Sequence, residues 1–159
     1  MNDNEGFGGI MNHENQTKYI LLVDDNENDV KLFREAAGKN CKAQVFRTST
    51  GEEAINLLHR EEIIPSLIVL EIDLPSADGY ALLRFVREHS QLHTVPVVIL
   101  TGVMSLENLD PAWTLGANAV ILKPEDATEL KEMVKALCDL WLKFSVAPRP
   151  LVLAGIVDG

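Results

Sequence analysis

Carboxylates stand directly behind two apolar runs of this chain: Asp24 and Asp25 follow YILLV, and Glu71 and Asp73 follow LIVL. A hydroxyl, Thr101, ends a third run, VPVVILT, with Gly102 next; an ammonium, Lys123, follows a fourth, AVIL, with Pro124 behind it. Each has an ordinary reading by itself. An acidic pair after a strand often dresses the start of the next helix, where negative charge meets the positive end of the dipole. Threonine in such a place is commonly a cap, and Lys-Pro a turn. The combination is harder to explain in that way, because clustered carboxylates repel unless a cation sits among them. Lys123 and a divalent metal are the candidate cations, and hard oxygen ligands without Cys or His nearby favour magnesium over zinc.

The elements that must position these side chains alternate along the chain. YILLV reads as a strand and Asp29 to Gly38 as an amphipathic helix with Val30, Phe33 and Ala37 on one face. AQVFR, LIVLEI, VPVVILT and AVIL read as further strands. Gly51 to Arg60, Asp78 to Glu88 and Ala127 to about Phe144 read as helices. Continuous Val/Ile/Leu runs separated by helices mean strands buried on both faces, hence a doubly wound α/β fold with a parallel sheet. In such a sheet the ligand site lies outside the carboxyl ends of the strands. All the candidate residues fall on that rim. Between Gly102 and Leu115 a helix is expected to be short or displaced, with Asp110 as its N-cap and Pro111 at its first position, since proline in a helix interior costs ~3 kcal/mol.

Composition narrows the function classes. With 159 residues, 47% of them hydrophobic, the chain fits one ordinary core. A formal net charge of -10 argues against nucleic acid or an anionic membrane surface as partner. No apolar run approaches the ~20 residues of a membrane span, and the first residues have neither a basic nor an apolar leader region, so a cytoplasmic protein is expected. Cys41 and Cys138 show no metal or redox spacing and read as free thiols without assigned chemistry. A haloacid-dehalogenase-type phosphotransferase needs Asp-x-Asp after the first strand, where Asn26 holds the second place. No Gly-x-x-x-x-Gly-Lys loop supports a nucleotide enzyme, and no enzyme activity is expected.

LLVDDNENDV, LIVLEIDLPSADGY, PVVILTG and LGANAVILKP, in this order and spacing, resemble the receiver domain of two-component response regulators from about Tyr19 to Phe144. The resemblance implies a flavodoxin-like, CheY-like sheet of five parallel strands with five helices, a magnesium-dependent phosphoacceptor Asp at the end of the third strand, and a histidine kinase as phosphodonor. It places a receiver domain at 18–144 with a C-terminal extension at 145–159, while residues 1–17, rich in Asn, Gly and acid, read as a mobile or loosely docked N-terminal extension. Asp24 and Asp25 match the acidic metal pair, and Asp73 the position that lends a backbone carbonyl to the metal. Thr101 matches the phosphoryl-binding hydroxyl and Lys123 the lysine that bridges to it.

Two positions depart from the pattern. Glu71 falls on the phosphoacceptor, since Pro75 and Asp78-Gly79 match the family only in that register. Val120 stands where the family usually carries the Tyr or Phe of the switch. A glutamate carboxylate reaches ~1.5 Å further than that of aspartate, toward the space between Thr101 and Lys123. Its single charge is less than the roughly -1.5 to -2 of a phosphoryl group, so it imitates that group in part. Ordinary phosphorylation is expected to be slight, because displacing the attacking oxygen by an ångström costs on the order of 100-fold. The alternative is a phosphorelay carrier or sink that accepts phosphoryl at Asp73 or elsewhere. Magnesium binding is expected to be weak.

The last helix carries a separate signal. Leu130, Met133, Val134, Leu137 and Trp141 form the stripe that covers the sheet, whereas Leu140, Leu142 and Phe144 spread apolar surface beyond the ~100° that one core requires. A homodimer through Leu140, Leu142 and Phe144 is the expectation; the alternative is that the tail SVAPRPLVLAGIVDG folds back over them. The ending LWLKFSVAPRP also resembles the extension of single-domain response regulators that pair with cyanobacterial phytochromes and bacteriophytochromes, some of which dimerise there. A phytochrome-type sensor kinase is therefore the implied partner, and output is expected through binding another protein.

Overall fold

A sheet in the order β2-β1-β3-β4-β5, with every neighbouring pair parallel, organises the chain. The computed structural model describes residues 17–60, 64–102 and 106–146; the extensions expected at 1–17 and 145–159 lie outside them except for residues 17, 145 and 146. The strands are β1 (Tyr19–Val23), β2 (Gln44–Thr48), β3 (Leu67–Glu71), β4 (Val97–Thr101) and β5 (Ala119–Leu122). The helices are α1 (Glu27–Asn40), α2 (Gly51–Arg60), α3 (Gly79–Glu88), α4 (Leu106–Thr114) and α5 (Ala127–Leu137), the last continuing as a π-helical segment, Cys138–Phe144. This is the doubly wound, flavodoxin-like sheet that the alternating apolar runs require.

Strand residues of alternate parity serve two cores. Leu21, Val23, Ile68, Leu70, Val97 and Ile99 pack with Ala54 and Leu58 of α2, Leu82, Leu83 and Val86 of α3, and Ala112 of α4. Ile20, Leu22, Leu67, Val69, Val98 and Leu100 pack with Val30 and Phe33 of α1 and Val134 and Leu137 of α5. With both faces covered, no polar position can fall inside a central strand, which is why the runs read as unbroken Val, Ile and Leu. The register then aligns the strand ends: Val23 pairs with Leu70, Glu71 with Leu100, and Thr101 with Leu122. Across the gap between α2 and α3, Asp78 accepts bonds from the N–H groups of Gly51 and Glu52, both 2.8 Å. Gly51 is required there, because a Cβ would stand 2.5 Å from the Asp78 carbonyl oxygen.

Two helix ends differ from expectation. α4 is short, nine residues, but it starts at Leu106 and holds Pro111 inside rather than at its first position. The buried side chains on either side of the proline, Leu109 and Ala112, explain this: both reach the core only if the turn before Pro111 is helical, and their burial offsets the missing backbone bond. At the other end, α5 does not run evenly to Phe144. From Cys138 the backbone winds wider, so that the N–H of Ser145 bonds the carbonyl of Leu140, 2.8 Å away, in i→i+5 fashion. Lys18, just before β1, donates its ammonium to the Leu142 carbonyl. The altered winding turns Leu142 inward to 3% exposure beside Leu137 and Cys138, while Leu140 and Phe144 stay 54% and 68% exposed. Leu142 therefore belongs to the intramolecular core and not, as expected, to an outward apolar surface.

Candidate functional site

Lys123 is the centre of the rim. It leaves β5 with its N–H bonded to the Thr101 carbonyl at 2.8 Å, which holds the ends of β4 and β5 together. Its ammonium meets three carboxylates: Asp24 at 2.6 Å, Asp29 at 2.8 Å and Glu71 at 3.1 Å. The Lys123, Asp24 and Glu71 side chains are 12%, 3% and 7% exposed, so this charge cluster is largely withdrawn from water. Burial pulls the lysine toward its neutral form, but hydrogen bonds to Asp24 and Asp29 and the charges of Asp24 and Glu71 outweigh it and hold the ammonium well above its ordinary range.

Each carboxylate is aimed by the element it closes. Asp24 follows β1, its N–H donating to the Thr48 carbonyl at 3.0 Å. Its Oδ1 accepts from the Asn26 N–H at 2.9 Å, which leaves Oδ2 for the lysine. Asn26 caps α1 by accepting from the Asp29 N–H at 3.0 Å. That cap places Asp29 in the first helical turn, over Lys123. In the sequence Asp29 marks only the start of a helix; the Asn-x-x-Asp spacing is the available signal, since it seats a carboxylate at the helix entrance facing the rim. Asp25, by contrast, is exposed, and the ion pairs of Lys123 do not include it.

Glu71 and Asp73 divide the remaining donors between them. Glu71 Oε2 faces Lys123, and Oε1 accepts from the Asp73 N–H at 3.1 Å. Burial raises the Glu71 carboxyl above its ordinary 4.5, against the opposing pull of the Asp73 N–H and Lys123. The Asp73 side chain turns the other way, and its Oδ2 accepts from the Thr101 hydroxyl at 3.0 Å and the Gly102 N–H at 2.9 Å. A hydroxyl and a backbone N–H converging on one oxygen form an oxyanion seat, and here a carboxylate of the chain itself sits in it. Thr101 is 1% exposed, so the hydroxyl side of the seat is withdrawn from water. The sequence assigns Asp73 a backbone role toward the metal or, in the alternative, that of a phosphoryl acceptor, and gives no sign of the Gly102 N–H, whose direction no residue type reveals. Val120 is half-buried against the core on the α2 and α3 side.

The donor set suits a hard cation, being all oxygen, but it is not spread open for one. Both Asp24 oxygens are engaged, Asp73 is drawn toward Thr101, and among the described residues no group of three or more His, Cys, Asp or Glu is arranged to hold a metal. An ion here has to displace the Lys123 ammonium from Asp24.

The family model "Response regulator receiver domain" matches residues 20–135. The probable transcriptional regulator ycf27 of Guillardia theta is 30% identical over 122 residues, covering 77% of this chain and 46% of that protein; the chain thus spans about half the length of this relative. Among solved structures, the phosphorylated cyanobacterial phytochrome response regulator RcpA is similar with a TM-score of 0.78 and 29% identity, over 84% of this chain and 100% of that one. The Mn(2+)-bound form of response regulator Rcp1 gives 0.75 and 26%, over 83% and 99% of the two chains. The bacteriophytochrome response regulator RtBRR gives 0.65 and 32%, over 85% and 84%.

Proposed function

This chain belongs to the response regulator receiver family, and from that premise we propose that it is an atypical receiver in which Glu71 holds the phosphoacceptor position and partly mimics the phosphoryl group. One observation carries the reading. The ammonium and the hydroxyl that the family resemblance assigns to phosphoryl binding are both held by carboxylates of the chain, Lys123 by Glu71 and Thr101 by Asp73. Glu71 takes the lysine side of the absent group and Asp73 the hydroxyl side. Neither carries the charge of a phosphoryl group alone, but two carboxylates approach it together.

The same geometry argues against the alternative, a phosphorelay carrier labelled at Asp73. Oδ2 of Asp73 already holds two donors, and Lys123 is committed to Asp24, Asp29 and Glu71. The likeness to Mn(2+)-bound Rcp1 supports a divalent ion at this rim. In this reading magnesium binds weakly through Asp24, Asp25 and the Asp73 backbone, because it competes with Lys123.

The protein acts in a two-component pathway as a signalling module and not as an enzyme. The likeness to RcpA and RtBRR supports a histidine kinase of the phytochrome type as partner. Trp113 of α4 and Leu122 of β5, 57% and 52% exposed, support output through a protein surface, and Leu140 and Phe144 support a homodimer at the end of α5. Treatment with acetyl phosphate and magnesium, followed by intact mass and peptide mapping, tests the reading. The mass is expected to stay unchanged; a phosphoryl adduct mapped to Asp73 would establish the carrier instead.

A further inference from the structure

β2 ends the sheet on one side, and among the described residues no strand lies beyond it. Two bonds to β1 fix the direction of its backbone groups: the Gln44 N–H donates to the Lys18 carbonyl, and the Thr48 carbonyl accepts from the Asp24 N–H, both at 3.0 Å. Residues alternate along a strand, so Gln44, Phe46 and Thr48 turn their N–H and C=O groups to β1, and Val45 and Arg47 turn theirs off the sheet. Beside this edge, between β2 and α2, runs a groove of about 570 Å³ lined by Phe46, Thr48, Asn56, Leu57, His59 and Arg60. Phe46 and Leu57, half-buried against the core, give it an apolar floor. Outward backbone groups next to an apolar floor are what an added strand uses.

We propose that residues 151–157 of the same chain, LVLAGIV, pair with the outer edge of β2 as a sixth, parallel strand. These residues lie outside the described ones. They carry no charge and no proline and are mostly Val, Leu and Ile, a composition that seeks a strand edge. The described chain leads to the start of β2. Lys18 joins the two parts: its ammonium donates to the Leu142 carbonyl of the π segment, and its own carbonyl accepts from the Gln44 N–H. The π segment thus closes beside the start of β1, one strand in from β2. Ser145 then turns extended, with φ -69° and ψ 134°, and Val146 is 91% exposed. Residues 147–150, APRP, form a spacer whose two prolines favour an extended chain and which spans roughly 12 Å. The outer side of β2 lies two strand spacings from β1, about 10 Å.

Direction and handedness agree with this placement. A spacer of four residues cannot first run the ~17 Å length of β2, so the segment enters at the start of that strand and runs parallel to it. The connection from β5 over α5 then travels the same way across the sheet as the connection from β1 over α1 to β2, and α1 and α5 cover the same face. Both crossovers therefore have one hand, and the rule for parallel strands makes it right-handed. Alternate side chains of the segment fall over Phe46 and Leu57 on the α2 side and beside Val45 on the α1 side. The added strand closes the edge to other chains and runs up to Arg47, which bonds the Asp24 carbonyl at 2.9 Å and Glu27 at 2.8 Å next to the rim.

Amide NMR of the full chain provides the test. In the wild type, nuclear Overhauser contacts are expected between amides of residues 151–157 and those of Val45 and Arg47. They should arise within one chain, and so be missing from a mixed labelled and unlabelled sample filtered for contacts between copies. Hydrogen exchange at Val45 and Arg47 should quicken about tenfold or more in Val152→Pro with Leu153→Pro, since one of the two lost donors must face β2, while Phe46, turned to β1, keeps its rate. The Overhauser contacts decide by themselves if Phe46 quickens as well. Contacts from the segment to Leu140 and Phe144 in place of β2, contacts only between copies, Val45 and Arg47 amides that exchange freely in the wild type, or unchanged rates in the variant would each overturn the proposal.

Discussion

A lysine ends each of two remote regions of this molecule, and they are held in opposite ways. Lys123 on the rim is buried and surrounded by Asp24, Asp29 and Glu71, each supplied by a different element. Lys18, at the start of β1, caps a single carbonyl, that of Leu142 in the π segment. The first region is fixed by charge, because an ammonium and carboxylates withdrawn from water persist only when paired with good geometry. The second is fixed by packing: Leu142, Leu137 and Cys138 fill the core below it. Charge on the rim should therefore be costly to unbalance and silent to apolar truncation, and the π segment should behave in reverse.

The largest effect is expected from Lys123→Ala. Removing the ammonium leaves Asp24 and Glu71 buried and uncompensated, a loss of ~3–5 kcal/mol in urea unfolding. Magnesium should return part of that loss in the variant, since it can take the place vacated beside Asp24, and should do much less for the wild type. A variant as stable as the wild type would mean that the cluster is hydrated and that the contrast between the regions is false.

In the π segment the corresponding experiment is a pair of truncations. Leu142→Ala should cost ~2–5 kcal/mol as a buried leucine, whereas Leu140→Ala should stay within ~0.5 kcal/mol as an exposed one. Equal effects would mean that the helix continues with α winding to Phe144. The smaller Glu71 effect is a pH dependence. Burial raises the folded carboxyl above its ordinary 4.5, so the native state takes up the proton first. Relative to Glu71→Gln, wild-type stability should be lowest above the folded value and should rise as pH falls through it to below 4.5; parallel stability curves would show an unshifted group. The smallest effect on folding is expected from Leu140→Glu with Phe144→Glu, which should leave the chain folded and yield a monomer by light scattering, whereas the proposed interface predicts a dimer for the wild type.

The rim is largely legible in the sequence because strands transmit position rigidly. Once LIVL and AVIL are strands of one parallel sheet, Glu71 and Lys123 must lie at the same edge, and no other detail is needed. What the sequence hides there depends on direction and not on place: Asp29 enters through a helix cap, and the Asp73 side chain swings to Thr101 and Gly102. The helix ends are less legible. Leu142 is inside only because the winding widens after Leu137, and Pro111 is tolerated inside α4 only because Leu109 and Ala112 are buried on either side of it.

The central claim is that Glu71 occupies the place of the phosphoacceptor and, with Asp73, satisfies the donors meant for a phosphoryl group. Glu71→Asp tests it most directly, because it shortens the side chain by one methylene and leaves the charge unchanged. Wild type and variant are treated side by side with acetyl phosphate and magnesium and followed by intact mass over time, with peptide mapping of any product. The account predicts that the Glu71→Asp variant gains an acid- and base-labile adduct at the substituted position and that the wild type gains none. A wild type that gains the adduct as fully as the variant would contradict it.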